Sequence, residues 1–164
     1  MKNTLSLLVG VLSLAGCEGL TGSKWDHSVI GHYSLSFTEL SSSSASSCTL
    51  NFTLTGEIEI GYTEAGSGLN GEVSIRDHKK TFVSSTSGCT DAAVSGLSWK
   101  GALNGTASNL TFSSTTPLET LNWKADFKGV LNGGTITGTL TFIESGVLNG
   151  FTKSGTATTN VTLQ

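Results

Sequence analysis

Histidine side chains carry much enzyme and metal chemistry, and this chain has three of them, far apart in sequence. His27 follows an aspartate, and His78 lies in the charged run Asp77-His78-Lys79-Lys80. We therefore predict that both are solvated surface residues. A metal site would need His32, His78 and an acidic residue to converge, and no ligand spacing supports this, so we predict no metal site.

Paired carboxylates are the next candidates for chemistry. Glu57 and Glu59 share one face, as a paired-carboxylate site requires, but they stand on the polar side of an alternating segment, and we interpret them as outward residues. Serines are abundant, yet none lies in a recognisable nucleophile turn, and every glycine cluster falls at a predicted hairpin. The sequence therefore predicts no catalytic residue, no enzymatic activity and no cofactor.

The rest of the chain is best understood from residues 49–63, TLNFTLTGEIEIGYT. One parity of this stretch is apolar and comprises Leu50, Phe52, Leu54, Ile58, Ile60 and Tyr62. A period of two residues predicts a strand with one buried and one wet face. The run is longer than an ordinary strand, and we expect it to bend at Gly56.

The tripeptide Leu-Asn-Gly recurs after this strand, at residues 69–71, 103–105, 131–133 and 148–150. Asn-Gly readily takes positive φ at two successive positions, which a two-residue hairpin turn requires. Each copy is therefore a candidate strand reversal. The clearest hairpin runs from Leu121 to Phe142, with apolar residues on one face of each arm and threonines opposite.

Alternating segments of this kind number about eight and are joined mostly by short turns, which predicts an all-β, antiparallel up-and-down β-barrel. A β-sandwich is the alternative, although its crossovers need longer connections. Glycines recur on the inward parity, at Gly56, Gly71, Gly101, Gly129 and Gly138. Such glycines let strands coil sharply and could leave space inside the barrel.

Residues 1–16 have the features of a signal peptide: a positive charge at Lys2, then an apolar segment too short to span a bilayer. Leu14-Ala15-Gly16-Cys17 follows and resembles the lipobox of bacterial lipoprotein precursors at every position. The resemblance implies cleavage before Cys17 and acylation of its thiol and new amine, which gives a stable lipid anchor. An ordinary secretory signal with a passive Cys17 is the alternative.

The predicted organisation is thus a signal peptide at 1–16, a lipidated tether at 17–28 and a β-barrel domain at 29–164. Cleavage leaves 148 residues, enough for one core, with a formal charge of −4 because Lys2 is the only charged residue removed. Such a balance does not attract nucleic acid. Glu18 is not the aspartate associated with inner-membrane retention, so we expect an outer-membrane address in a Gram-negative cell envelope.

Lipidation of Cys17 would leave Cys48 and Cys89 as a pair. Because export implies an oxidising compartment, we expect a disulfide between them. A catalytic or metal-binding pair is the alternative, but neither cysteine has a Cys or His at ligand spacing.

The barrel architecture from about Val29 to Gln164 resembles the calycin superfamily, the lipocalin-like and avidin-like barrels. Gly31-His32-Tyr33 stands where lipocalins carry Gly-x-Trp, with tyrosine replacing tryptophan, and the only arginine, Arg76, lies mid-chain rather than near the last strand. The resemblance implies a fold and no ligand-contact residue.

Inward aromatic residues leave two functions open. Tyr33, Trp99, Trp123 and Phe127 either pack in a solid core or form the wall of a pocket. We therefore expect a non-enzymatic structural or surface-interaction lipoprotein, or a lipocalin-like carrier. Few polar groups are expected inside, so the carrier would bind a small apolar ligand.

Overall fold

The computed structural model describes residues 24–66, 68–86 and 94–164. The signal peptide, Cys17 and Cys89 lie outside these residues. The described chain is all-β: eight antiparallel strands close into a barrel in sequence order, with no helix. The up-and-down β-barrel prediction is confirmed. Among the described residues there is accordingly no helix that is long and apolar enough to cross a membrane.

The strands are β1 His27–Ser42, β2 Ser47–Ala65, β3 Gly68–Ser85, β4 Val94–Thr106, β5 Asn109–Leu118, β6 Leu121–Asn132, β7 Thr135–Leu148 and β8 Phe151–Leu163. Inward residues alternate with outward ones along them, and the inward set forms one hydrophobic core. Outward positions are mainly threonine, serine and charged residues. The buried face explains why the register of each strand is fixed.

The long strand predicted at residues 49–63 is β2, which is 19 residues long. Its pairing with β3 shifts between Thr55 and Glu57, so the expected irregularity does lie at Gly56. The hairpin predicted from Leu121 to Phe142 is β6–β7, paired without a shift from Leu121↔Gly146 to Asn132↔Thr135.

The Leu-Asn-Gly copies behave differently from one another. Asn149 and Gly150 form the two-residue β7–β8 turn with φ of 52° and 79°, as predicted. In the copy at 131–133 the turn comes one residue later, at Gly133-Gly134. The copies at 69–71 and 103–105 lie within strands, because the reversals occur before Gly68 and at residues 107–108, so the turn prediction was wrong there.

The barrel has two ends. One end carries the β1–β2, β5–β6 and β7–β8 turns; we call this the 43–46 end, after the residues of its first turn. The other end carries the start of β1, the β4–β5 and β6–β7 turns and the chain terminus at Gln164, and Ile30 and Gln164 exchange backbone hydrogen bonds there.

Trp25 lies at that second end, directly before β1. Its indole packs against the outer wall at Gly61, where a Cβ atom would overlap the ring. The Asp26 amide donates to Thr63 Oγ1 at 3.2 Å. The segment before β1 is thus held against β2 and does not plug the barrel.

Candidate functional site

The four residues predicted to line a pocket are all inside the barrel. Tyr33, Trp99, Trp123 and Phe127 are at most 4% exposed. Phe142 joins the first two, with ring centroids 5.1 Å from Tyr33 and 5.3 Å from Trp99. Phe127 packs instead against the backbones of Gly129 and Gly138.

The inward glycines do not leave empty space. The Tyr33 ring occupies the volume of a side chain at Gly56, and Phe127 does the same at Gly129 and Gly138. Phe37 covers Gly155 in the same manner. Each missing Cβ is replaced by an aromatic ring, so the expectation of space at these levels was wrong.

His78 also lies inside the barrel, fully buried, so the prediction of a solvated His78 was wrong. The physical reason is a β-bulge: the pairing of β3 with β4 shifts between Ile75 and His78, and Asp77 takes a φ of 54°. An extra residue in a strand inverts the parity that follows it. His78 and Lys80 therefore point inward, although Ile75 does so on the opposite parity.

Aromatic rings surround the His78 imidazole. Its centroid lies 5.0 Å from those of Trp99 and Phe142 and 5.5 Å from that of Trp123. Nδ1 lies 2.9 Å from the Tyr33 hydroxyl, whereas Nε2 has no hydrogen-bond partner among the described residues. Burial, followed by the nearby Lys80 charge, lowers the pKa of His78 to about 4, so the ring is neutral at pH 7.

A cluster of four charged side chains lies beside His78, toward the 43–46 end. Lys80 Nζ bonds Glu39 Oε2 and lies 3.2 Å from Glu144 Oε2. Lys153 Nζ lies 2.9 Å from the other oxygen of Glu39. We call Glu39, Lys80, Glu144 and Lys153 the ion cluster; each is at most 6% exposed.

Three aromatic rings enclose the Lys80 ammonium. Nζ lies 4.0 Å from the centroid of Phe52, 5.3 Å from that of Trp123 and 5.7 Å from that of Phe37. These distances allow cation–π attraction, which is stronger away from water. The ammonium is thus held by carboxylates and aromatic faces together.

Burial has a clear effect on the second carboxylate. Desolvation, opposed by the Lys80 ammonium and reinforced by the Glu39 charge, raises the pKa of Glu144 to about 7. Burial also raises the pKa of Tyr33, which keeps its hydroxyl protonated. The interior therefore combines a neutral histidine, a carboxyl group that titrates near neutrality, and two ammonium groups.

Sequence analysis missed the ion cluster, although the signal for three of its members was present. Glu39, Glu144 and Lys153 continue the inward parity of Phe37, Phe142 and Val161. Extending each alternation by one or more steps would have found them. Lys80 has no such signal, because the bulge at Asp77 inverts its parity.

The other predicted residues lie outside this site. Glu57 and Glu59 face outward as predicted, and both pair with Arg76, at 2.5 and 3.0 Å. His27 and His32 are exposed. Cys48 lies half-buried near the start of β2, and its predicted partner Cys89 is not among the described residues. Within the described ranges no three metal-ligating side chains converge.

Comparisons with protein-family models, with curated proteins and with solved structures found no match. The site must therefore be interpreted from its own chemistry. Proton transfer and ion binding are within the reach of these groups, but every one of them is sealed from solvent by the barrel wall.

Proposed function

We propose that the protein is a lipid-anchored cell-envelope module that is non-enzymatic and acts through its outer surface. The observation that supports this proposal is the filled interior. Trp123 and Phe127 have 0% exposure and Trp99 has 1%. Accessible surface includes the walls of inner cavities, so a side chain with none borders no space that could hold a water molecule. The four candidate pocket residues serve as core.

The same closure argues against an enzyme. Groups with strongly shifted pKa values are candidates for catalysis when they face a cleft. His78 and Glu144 have such pKa values, but they are 0% and 1% exposed. A substrate could reach neither side chain unless strands separated.

The anchor is proposed from Leu14-Ala15-Gly16-Cys17 together with the start of the barrel. Trp25 is fixed on Gly61, which leaves the short segment 18–24 to link the acylated Cys17 to the barrel wall. At about 3.3 Å per extended residue, this segment reaches roughly 25 Å. The start of β1 therefore faces the membrane, and the 43–46 end faces away from it. Glu18 favours the outer membrane.

Fractionation tests the anchor. Wild-type protein should be found with the outer membrane and Cys17→Ala protein should be soluble in the periplasm, because the acyl chains are the main attachment. Ser23→Ala is the matched control and should stay membrane-bound. Membrane association of both forms, or release of both, would remove the anchor from the proposal.

A carrier is the second candidate, and unpartnered polar atoms inside the barrel favour it. His78 Nε2 and Trp123 Nε1 have no hydrogen-bond partner within the described chain, and buried polar groups normally have one. A ligand there would meet the ion cluster as well, so it would be polar or charged. The expectation that few polar groups converge inside the barrel was wrong, and the apolar ligand loses its support.

Tryptophan fluorescence separates the two candidates. A carrier should show saturable changes with small amines or carboxylic acids, weakened by Trp123→Phe, which removes only the indole N–H. Under our proposal neither class of compound should change the emission. A saturable change with a simple fatty acid or aromatic hydrocarbon would instead restore the apolar carrier.

A further inference from the structure

The barrel wall has a weak line between β4 and β5. Backbone pairing there is confined to residues 104–106 of β4 and 109–111 of β5. Beyond them, residues 94–103 of β4 pair with β3, and residues 112–118 of β5 pair with β6. We call the facing stretches 94–103 and 112–118 the β4–β5 seam.

Side chains hold the seam where a backbone ladder would otherwise run. Thr116 Oγ1 donates to the backbone oxygen of Ser98 at 2.8 Å. Trp99 Nε1 donates at 3.0 Å to the backbone oxygen of Trp123, which lies on β6, beyond β5. Both carbonyl groups are therefore satisfied by side-chain donors.

Packing across the seam is also local. The ring of Phe112 lies 3.3 Å from the position of a Cβ on Gly101, so one aromatic ring covers the β4 backbone. Pro117, the only proline in the chain, lies in β5. Proline is confined to edges and irregular parts of sheets, which agrees with an incomplete ladder here.

We propose that the β4–β5 seam is a docking site for an extended polypeptide segment of another protein. Main-chain donors and acceptors that lack a ladder partner, spaced along two facing strands, are matched by one class of ligand, another extended backbone. The inference rests on the proposed function, because it assigns the partner of a module that acts through its outer surface.

The neighbouring side chains define the chemistry of the segment. Its inward residues would meet Trp99 and Phe112, which are buried, so they should be apolar or small. Its outward residues would lie among Ser98, Lys100 and Thr115, which are exposed, so they should be polar. An alternating, uncharged segment rich in threonine and serine fits both faces.

A synthetic peptide with the sequence of β5, NLTFSSTTPL, is the probe. It already has the alternation that suits β4, and a scrambled peptide of the same composition is its control. We expect fluorescence anisotropy to show saturable binding of the β5 peptide to the full-length protein. Binding of the scrambled peptide should be at least about tenfold weaker, about 1.4 kcal/mol.

A disulfide across the seam tests the location. Lys100→Cys with Thr115→Cys places two thiols where a continued register would bring them opposite each other. The oxidised variant should lose at least about tenfold in affinity, because the strands can no longer separate, and reduction should restore binding. Thr137→Cys with Thr162→Cys, at exposed positions already paired in β7 and β8, is the control and should bind normally in both states.

A second variant changes affinity in the opposite direction. Thr116→Val removes the hydroxyl that bonds Ser98, so the seam should open more easily and bind the peptide about fivefold more tightly. Wild-type protein under the same reductant controls for the native cysteines. Absence of peptide binding, or equal binding by the oxidised seam variant and wild type, would overturn the inference. If that protein still fractionates with the membrane and binds no small ligand, the proposed function stands without it.

Discussion

The ring of Tyr33 on β1 lies over the backbone of Gly56 on β2, in the volume that a side chain at residue 56 would occupy. The Tyr33 hydroxyl is then placed 2.9 Å from His78 Nδ1. The glycine that bends the long strand therefore also fixes the position of the aromatic group that bonds the buried histidine.

Gly56→Ala should destabilise the protein by about 2 kcal/mol, because the added methyl group overlaps Tyr33 and lies 3.0 Å from the Arg76 carbonyl oxygen. Urea unfolding measures this change. Gly68→Ala is the matched control, since its Cβ would meet no atom closer than 3.8 Å, and it should change stability by less than about 0.5 kcal/mol. Equal effects of the two substitutions would contradict the packing described for Tyr33.

Lys80→Met should be strongly destabilising, by about 3–5 kcal/mol, because it leaves Glu39 and Glu144 buried without their ammonium partner. Lys80→Met combined with Glu39→Gln and Glu144→Gln should recover part of this loss, since no uncompensated carboxylate remains. Chemical denaturation measures both.

Lys100→Met is the surface control for that experiment. Lys100 pairs with Glu72 at 2.9 Å, but its side chain is 67% exposed, and exposed ion pairs contribute about 0–1 kcal/mol. If Lys80→Met were as mild as Lys100→Met, the ion cluster would not be a buried network.

The pH dependence of stability should be unusually flat between about 4.5 and 6.5. His78 has its pKa lowered to about 4 in the fold, so the unfolded chain binds a proton first as pH falls through 6.5, and stability decreases. Glu144 has its pKa raised to about 7, so the folded chain binds a proton first, and stability increases. Each shift corresponds to about 3 kcal/mol, with opposite sign.

Single substitutions should expose the two slopes. Glu144→Gln protein should lose about 3 kcal/mol as pH falls from 6.5 to 4, whereas His78→Gln protein should gain about 3 kcal/mol as pH falls from 7 to 4.5. Urea unfolding at stepped pH measures them. The charged groups facing this pair, Glu39, Lys80 and Lys153, are unchanged in both variants. Parallel pH profiles for the two variants would show that the assignment is wrong.

A disulfide between Cys48 and Cys89 remains a prediction, and the chain near it is suitably placed. The Thr86 amide donates to the Thr49 backbone oxygen at 3.0 Å, and the Thr49 amide donates to Thr86 Oγ1 at 3.1 Å. Residue 89 is therefore only three positions beyond a residue bonded to the neighbour of Cys48.

Cys89→Ser should lower stability by about 4 kcal/mol, the chain-entropy value for a loop of about 40 residues. Reductant should produce the same loss in wild-type protein and no further loss in the variant. Two thiols that react with an alkylating reagent in the exported, unreduced protein would show that the bond is absent.

The fold was predictable because alternation is a local property. In β1, β2, β6 and β7 every second residue is apolar, and a two-residue period indicates one buried face without any knowledge of neighbours. Short connections between such strands then leave few topologies other than a meander. Strand reversals were less predictable, because Leu-Asn-Gly at residues 69–71 satisfies the turn chemistry, yet the chain reverses before it.

The ion cluster could not be derived in the same way. Lys80 faces inward only because Asp77 adds a residue to β3, and a bulge at one aspartate is not encoded in a hydrophobic period. Glu39 and Glu144 have the inward parity, but charged residues there are ordinarily interpreted as the end of a buried face. Their burial becomes intelligible only once four strands bring two carboxylates and two ammonium groups together.

The seam was equally invisible. Residues 97–103 and 110–112 alternate as paired strands do, and nothing in their types shows that pairing stops after Asn104↔Thr111. Whether two neighbouring strands stay in hydrogen-bonding contact depends on the twist and closure of the whole barrel.

The central claim is that the barrel interior is closed by its own side chains and that the protein acts from its outside. Native mass spectrometry of the protein extracted from its own membrane in detergent tests this most directly. We predict a single mass, that of the chain from Cys17 with its acyl groups, and no additional bound molecule. A co-purifying small molecule that is retained by wild type and lost from a folded Trp123→Ala variant would contradict the claim and establish the barrel as a carrier.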